Sequence, residues 1–357
     1  MADATKSLLT DLLKQVSRSF YLTLRIVPAS VRAQIGLAYL LARTTDTIAD
    51  TEILPIERRL AALSALRAKI LGTSEAALNF SDLAQHQGSP AERTLLERIE
   101  ESVTLLRMLQ PGDLAHVRNV IDFICSGQEL DLKRFNDQNQ GEARRLTALS
   151  SERELDDYTY RVAGCVGEFW THLCFDHLYQ PQEQRRLAAN APEFQADAVR
   201  FGKGLQLVNI LRDLPRDLRQ GRCYIPQELL AEAGLRAEDL LHPANEPRFR
   251  PVYDRLVTQA ETHLAAGWRY TSAIPHHYWR MRLACAWPIL IGVHTITLLR
   301  INNILDPATP LKVPRSAVRT MLIRTLVRVP FAGALERLWT PAGQQAGKAV
   351  ASRQDLT

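Results

Sequence analysis

The chain has 357 residues, enough for one large domain or two ordinary ones, and 46% of them are apolar, which supplies a substantial core and excludes a disordered chain. Its formal net charge is +5, but the surplus gathers near the end of the chain without an interleaved aromatic stacking pattern, which argues against a nucleic-acid binder. The five cysteines, Cys125, Cys165, Cys174, Cys223 and Cys285, form no CxxC arrangement; they indicate neither a disulfide scaffold nor a zinc site and fit a reducing cytoplasm.

Helical spacing dominates, with no alternating strand run, hairpin signal or fixed-period repeat. Met1 to Lys14 is polar and amphipathic and lacks the continuous apolar core of a targeting signal. Helices are expected over Ala4–Phe20 and Ser30–Thr51, the second carrying the apolar run Ile35-Gly-Leu-Ala-Tyr-Leu-Leu-Ala42 and then the pair Asp46-Thr-Ile-Ala-Asp50. Ile56–Leu71, Ala91–Met108 and Gly112–Gly127 follow. Ser151-Glu-Arg-Glu154 has the form of a capping box at the start of a helix running to Leu178. That helix contains Ala163, Gly164 and Gly167. A glycine inside a helix costs about 1 kcal/mol relative to alanine, a cost that makes sense where another helix or a long ligand must come close. After Glu183–Ala189, a helix over Ala196–Asp217 carries Leu205-Gln-Leu-Val-Asn-Ile-Leu211 and the second pair, Asp213-Leu-Pro-Arg-Asp217. Pro215 lies inside this second step and removes one backbone donor, so it threatens to kink or end the helix and pull Asp217 out of line.

Later helices are expected over Gln227–Ala233, Pro247–Tyr270, His276–Asn302 and Ser316–Val329, with loops near Gly72–Pro90, Asn136–Ala148, His242–Pro251 and Asp306–Pro314. The most apolar stretch, Leu283 to Leu299, is interrupted by Pro288 and His294 and falls short of a membrane span. From Lys312 to Arg337 the chain carries Lys312, Arg315, Arg319, Arg324, Arg328 and Arg337 against Glu336 alone. This segment reads either as a basic amphipathic helix on an anionic membrane surface or as a helix docked on the core with its arginines in water. The expected architecture is a single all-α domain over residues 1–340 with a mobile tail over 341–357.

The two acidic pairs carry the chemistry. Residues four apart on a helix share a face, so each pair aims two like charges at one point and asks for a cation. Carboxylates suit a hard ion such as Mg²⁺, which takes further ligands from water and phosphate oxygens. Asn209 extends the second column to Asn209, Asp213, Asp217, and Arg43 and Arg212 stand ready to pair with phosphate. Solvated acids on a polar surface helix are the bland alternative, but apolar runs lead into both pairs. Two such helices facing across an apolar cavity would hold Mg²⁺ against a diphosphate and make it a leaving group. An allylic substrate would then leave a carbocation, which needs a dry cavity with aromatic walls; Tyr158 and Tyr160 could present phenols there.

Five stretches together resemble the squalene and phytoene synthases: Ser17-Arg-Ser-Phe20; Arg43-Thr-Thr-Asp-Thr-Ile-Ala-Asp50; Tyr158 through Gly167; Gln206-Leu-Val-Asn-Ile-Leu-Arg-Asp-Leu-Pro-Arg-Asp217; and Arg219-Gln-Gly-Arg-Cys-Tyr-Ile-Pro226. The resemblance implies an isoprenoid-synthase-type helical bundle around a central apolar cavity. It implies that Asp46, Asp50, Asn209, Asp213 and Asp217 hold Mg²⁺. Ser17, Ser19, Tyr39, Arg43, Gln206, Arg212 and Arg222 would bind or orient diphosphate, Phe20 would line the prenyl channel, and Tyr160 and Tyr158 would face the reacting centre. Asp131, in Ser126-Gly-Gln-Glu-Leu-Asp131, sits where the family often has an acid. Within the family the expectation is a squalene synthase, which joins two farnesyl diphosphates through presqualene diphosphate and reduces the product with NADPH. Leu311-Lys-Val-Pro-Arg315 is similar to a basic segment that helps bind NADPH there, which assigns Lys312 and Arg315 to that cofactor. Gly202-Lys-Gly204 is no dinucleotide fingerprint. Phytoene, dehydrosqualene and hydroxysqualene synthases share the first half of the reaction without the reduction. The implied location is cytoplasmic, with peripheral contact on the inner face of the membrane. A non-catalytic helical assembly subunit would predict decay of the acidic columns, and a diphosphate hydrolase would need a polar, wet cavity; the residues favour neither.

Overall fold

The computed structural model describes residues 7–17, 20–135, 146–306, 308, 311–329, 331 and 333–339. Ser19, the expected tail over 341–357 and most of the expected loop at Asn136–Ala148 lie outside the described residues. The architecture is all-α. The strand structure among the described residues is one parallel bridge of two residues a side, Thr147–Ala148 against Arg222–Cys223. The chain packs as two compact units, Met1–Asn136 with Glu168–Arg185, and Asp137–Gly167 with Arg186–Thr357.

In the first unit the helix Ala29–Ala49 is buried on nearly every side, through Val31, Ile35, Leu37, Leu40, Leu41 and Ile48. It packs on Pro111–Arg134, Ile56–Leu71 and Ile99–Arg107. Its threonines suit this setting because their hydroxyls are satisfied within the helix. Thr44 donates to the Leu40 carbonyl at 2.9 Å, Thr45 to Ala42 at 2.7 Å and Thr47 to Arg43 at 2.8 Å, leaving only methyls to pack. Buried Asp113 ties three helices together, accepting from Gln34 at 3.0 Å and from His177 at 2.6 Å. Ile56–Leu71 stops at Gly72, whose φ of +79° closes the helix in a left-handed turn.

In the second unit the long helices Ala191–Arg219 and Glu246–Ala273 run antiparallel. A Cβ built at Gly267 would meet the Phe201 ring at 2.8 Å, one at Gly204 would meet His263 Cβ at 2.9 Å, and farther on Tyr253 bonds to Leu211. Trp279–Ile301 packs on both, and Arg315–Arg328 packs on Trp279–Ile301. The segment His276–Ile301 is long and apolar enough to cross a bilayer, but 67% of its most apolar window is buried inside the protein, as for the core helix of a folded domain.

Several expected boundaries shift for local reasons. The helix expected over Ala91–Met108 divides at Arg98 into Pro90–Glu97 and Ile99–Arg107. The helix expected to stop at Gly127 continues to Arg134. The expected loop at His242–Pro251 is largely helical: Pro247 falls in the first turn of Glu246–Ala273, where a missing N–H costs little, and the helix also continues through Pro251. The helix expected over Glu152–Leu178 contains a π-helical turn, Tyr160–Gly164, between Glu152–Thr159 and Cys165–His177. Its start is as read: Ser151 Oγ accepts from the Glu154 N–H at 3.3 Å, and Glu154 reaches back to the Ser150 N–H at 2.8 Å.

Candidate functional site

The first acidic pair sits where a helix least favours it. Asp46 lies in the last turn of Ala29–Ala49 and Asp50 is its C-cap, donating its N–H to the Asp46 carbonyl at 2.8 Å. Helix C-termini carry partial negative charge, so two carboxylates there are repelled by the backbone as well as by each other. Burial and then the Asp50 charge push the Asp46 carboxyl up to about 7, against Arg43 and Gln128, which favour the ion. Water reaches 47% of the Asp46 side chain, yet protein crowds it closely enough that desolvation is the larger cause.

Arg43 stands 3.9 Å from Asp46 and is hydrogen-bonded to Glu92 on Pro90–Glu97. Burial opposes its charge, but Glu92 and Asp46 outweigh burial and hold it above its ordinary range. Its Nε–H is buried without an acceptor. Gln128, which the sequence reading passed over, donates its amide to Asp46 Oδ1 and leaves its own Oε1 buried without a partner. The available signal was its place three residues before Asp131 in the same motif, one helical turn away. Phe20 and Tyr39 stack with ring centroids 5.0 Å apart, which brings two of the expected substrate residues together. Ser17 is buried, and its hydroxyl donates to the Leu13 carbonyl.

The second column stands on one unbroken helix. Ala191–Arg219 runs through Pro215 to Arg219, so Gln206, Asn209, Asp213 and Asp217 share a face at spacings of three, four and four. The break that Pro215 threatens does not occur. The Tyr253 hydroxyl donates to the Leu211 carbonyl at 3.0 Å, and Leu211 is the residue whose carbonyl would otherwise accept from position 215. Arg212 grips Asp213 in a two-pronged ion pair, Nε to Oδ1 at 2.8 Å and Nη2 to Oδ2 at 2.6 Å. A metal held by Asp213 would compete with this fork for the carboxylate, and a guanidinium displaced from it would be free to pair with other anions.

The helix ends at Arg219. Gly221, with φ of +77°, turns the chain in the left-handed region. Arg222 and Cys223 then pair with Thr147 and Ala148, and Tyr224 stacks on Tyr158 with centroids 5.0 Å apart. Tyr160 opens the π-helical turn with the Lys203 ammonium 5.7 Å from its ring centre. The small residues of this stretch face another helix. A Cβ at Gly167 would lie 2.0 Å from the Ala198 carbonyl oxygen, and one at Gly202 would lie 2.1 Å from that of Ala163. Of the two purposes open in the sequence, helix approach accounts for Gly167, and Gly202, dismissed there as a poor dinucleotide motif, proves to be its counterpart. Lys312 and Arg315 are exposed where the chain enters Arg315–Arg328.

Among the described residues no three His, Cys, Asp or Glu side chains meet to form a complete metal site. The donor set nonetheless fits Mg²⁺. It offers hard oxygens in pairs, an overcrowded Asp46 carboxyl and an orphaned Gln128 oxygen beside it. That leaves the remaining positions to water and phosphate, the usual division for this ion. Residues 13–316 match the model of the squalene/phytoene synthase family. The presqualene diphosphate synthase of Zymomonas mobilis is 30% identical over 70% of this chain and 70% of its own length. That of Rhodopseudomonas palustris is 27% identical over 86% and 92%. A bifunctional lycopene cyclase/phytoene synthase of Gibberella fujikuroi is 28% identical over 70% of this chain, but the match spans only 40% of that longer protein. The fold is similar to that of TcSQS in complex with E5700, with a TM-score of 0.73 at 20% identity over 95% of this chain and 93% of that one. A dehydrosqualene synthase also shares the fold, with a TM-score of 0.63 at 19% identity over 92% and 97%. This chain belongs to the squalene/phytoene synthase family of prenyl-transferring enzymes.

Proposed function

We propose that the protein condenses two farnesyl diphosphates head to head to presqualene diphosphate with Mg²⁺. The observation that carries this reading is the pair of acidic columns at helix C-termini, each with an arginine on its carboxylates. Bound Mg²⁺ would neutralise charge on the departing diphosphate. Asp46 and Asp50, and Asn209, Asp213 and Asp217, supply its oxygens. The buried Nε–H of Arg43 and the Arg212 guanidinium, once freed from Asp213, donate to phosphate oxygens. Phe20 with Tyr39, and Tyr158 with Tyr160, offer aromatic faces to a cation.

The names of the Zymomonas and Rhodopseudomonas relatives favour presqualene diphosphate as a product in its own right. Squalene, formed when NADPH reduces the second cation, is the second reading, with Lys312 and Arg315 as its residues. Incubation with farnesyl diphosphate and Mg²⁺, with and without NADPH, decides. The expected result is presqualene diphosphate and released pyrophosphate without NADPH. Squalene that appears only with NADPH establishes the second reading. A desaturated or hydroxylated thirty-carbon product that ignores NADPH, or turnover only of the twenty-carbon diphosphate, assigns the chain to a sister enzyme.

The proposed function includes peripheral contact with an anionic membrane through the basic C-terminal segment. Arg315–Arg328 docks through Met321 and through Thr325, whose Oγ1 accepts from Trp287 Nε1 at 2.8 Å. Its opposite side exposes Ile323 and Val327, 52% and 64% accessible, beside Arg319. Arg324, Arg328 and Arg337 line a cleft of about 740 Å³ floored by Leu290 and Met321. Apolar residues ringed by arginines with no acid on the helix suit an anionic lipid surface. Co-sedimentation should be strong with phosphatidylglycerol-containing vesicles, weak with pure phosphatidylcholine, and reduced by Ile323→Asp. Equal recovery with both vesicle types would remove the membrane from the proposal.

A further inference from the structure

The second acidic column contains a chemical contradiction. Proline at 215 has no N–H, so the Leu211 carbonyl, one turn earlier, loses its helical donor, and the proline ring crowds that same carbonyl. Leu211 is fully buried, where an unpaired carbonyl is costly. Water cannot reach it, and in a regular α-helix each neighbouring N–H is already committed to the carbonyl four residues before it. A helix so treated normally kinks or stops, and here it would do so between Asp213 and Asp217. Yet the helix continues to Arg219.

The missing donor comes from another helix. Tyr253, itself wholly buried on Glu246–Ala273, places its hydroxyl 3.0 Å from the Leu211 oxygen. Three features hold that hydroxyl in place. Phe249 packs edge-on against the Tyr253 ring with centroids 5.7 Å apart, and the Arg250 guanidinium lies 5.4 Å from the ring centre. Farther along, the two helices are pressed together at Gly204 and Gly267, where side chains would collide. Burial also raises the phenol's pKa, so it remains a donor throughout the working pH range.

We infer that Tyr253 is a positioning residue for the metal column: it supplies in trans the hydrogen bond that Pro215 forgoes, and thereby keeps Asp213 and Asp217 on one line. The inference rests on the proposed Mg²⁺ role of those aspartates. Tyr253 touches neither metal nor substrate in this role. A phenol donor from a neighbouring helix also accounts for a proline in a motif whose geometry depends on helix continuity.

The test is a cycle of three variants, Tyr253→Phe, Pro215→Ala and the double variant, read by Mn²⁺ binding in electron paramagnetic resonance and by kcat and KM as a function of Mg²⁺. Tyr253→Phe keeps the ring and removes the donor. Its half-saturating metal concentration should rise about tenfold or more, the worth of a buried unsatisfied carbonyl transmitted to the site, with a smaller effect on KM for prenyl diphosphate. Pro215→Ala alone should bind metal nearly as the unaltered protein does. In the double variant the backbone N–H regained at position 215 again reaches Leu211, and metal binding should recover to within about threefold of Pro215→Ala. A general packing role for Tyr253 predicts no such rescue. If Tyr253→Phe does not fold, the double variant still decides, since only a restored donor would let it fold and bind. Asp213-dependent Mn²⁺ binding that Tyr253→Phe leaves unchanged, or a loss that Pro215→Ala fails to rescue, overturns the positioning role alone. Mn²⁺ binding whose stoichiometry and affinity are unchanged in Asp213→Asn overturns the metal column and the positioning role together.

Discussion

Asp46→Asn is expected to lower turnover by about a thousandfold or more while making the metal-free protein harder to melt at pH 8. The loss follows from the proposed role of Asp46, a charged ligand to the Mg²⁺ that would neutralise a departing diphosphate. The stability gain follows from the environment of Asp46. Burial and Asp50 raise its carboxyl to about 7, above the unfolded value near 4. Between those pH values the folded state holds a proton that the unfolded chain has released, so stability falls as pH rises through the window. Above pH 7 the native protein carries the full penalty of an ionised Asp46 at a helix C-terminus. Asparagine keeps the oxygen that Gln128 donates to and carries no charge. Its advantage should be largest at pH 8, shrink toward pH 4, and be moderated by the solvent that reaches the side chain. Thermal melts across that range give the stability profile. With Asp46 as the proposed ligand, the same coupling would make Mg²⁺ binding proton-linked. Apparent affinity should rise by up to about tenfold per pH unit below 7 and flatten above it, and the slope should weaken in Asp46→Asn. A variant that turns over normally, or that melts lower than the parent at pH 8, is incompatible with the assigned site.

Gly202→Ala is expected to be the more damaging change to the fold, although it adds only a methyl group. That methyl would lie 2.1 Å from the Ala163 oxygen and 2.6 Å from its carbonyl carbon. The obstacle is backbone, which has no rotamer to escape into, so the helices must separate. Overpacking that moves backbone costs about 3 kcal/mol or more. Separation would also shift Tyr160, which lies against the same crossing with Lys203 over its ring. Gly112→Ala is the matched control, because its new methyl meets nothing within 4 Å and position 112 is already helical. Urea unfolding of the two variants should differ by most of that cost. Equal stabilities would show that the Ala163–Gly202 approach is not tight.

The two variants also mark how far the sequence could be read. Both acidic columns, the capping box at Ser151 and the long helical runs follow from rules that act within one or two turns. The spacing of Asp46 and Asp50, or of Asn209 and Asp213, fixes a shared face whatever else surrounds the helix. Arg43 and Arg212 were correctly placed beside the acids, but not their attachments. Arg43 is held by Glu92, 49 residues away, and Gln128, 82 residues from Asp46, entered the site unannounced. Such partners meet only because helices pack.

From the order of its residues alone, this protein determined a helical architecture, two four-residue carboxylate steps and the motifs of its family, since each depends on backbone periodicity and local chemistry. Tertiary structure decided whether those steps survive intact. The Ala191–Arg219 helix passes through Pro215 alongside a tyrosine 42 residues from Leu211, and Gly167 and Gly202 admit a helix because Ala198 and Ala163 lie opposite them. A buried carbonyl's donor and the neighbour across a glycine depend on three-dimensional packing, which no local pattern specifies.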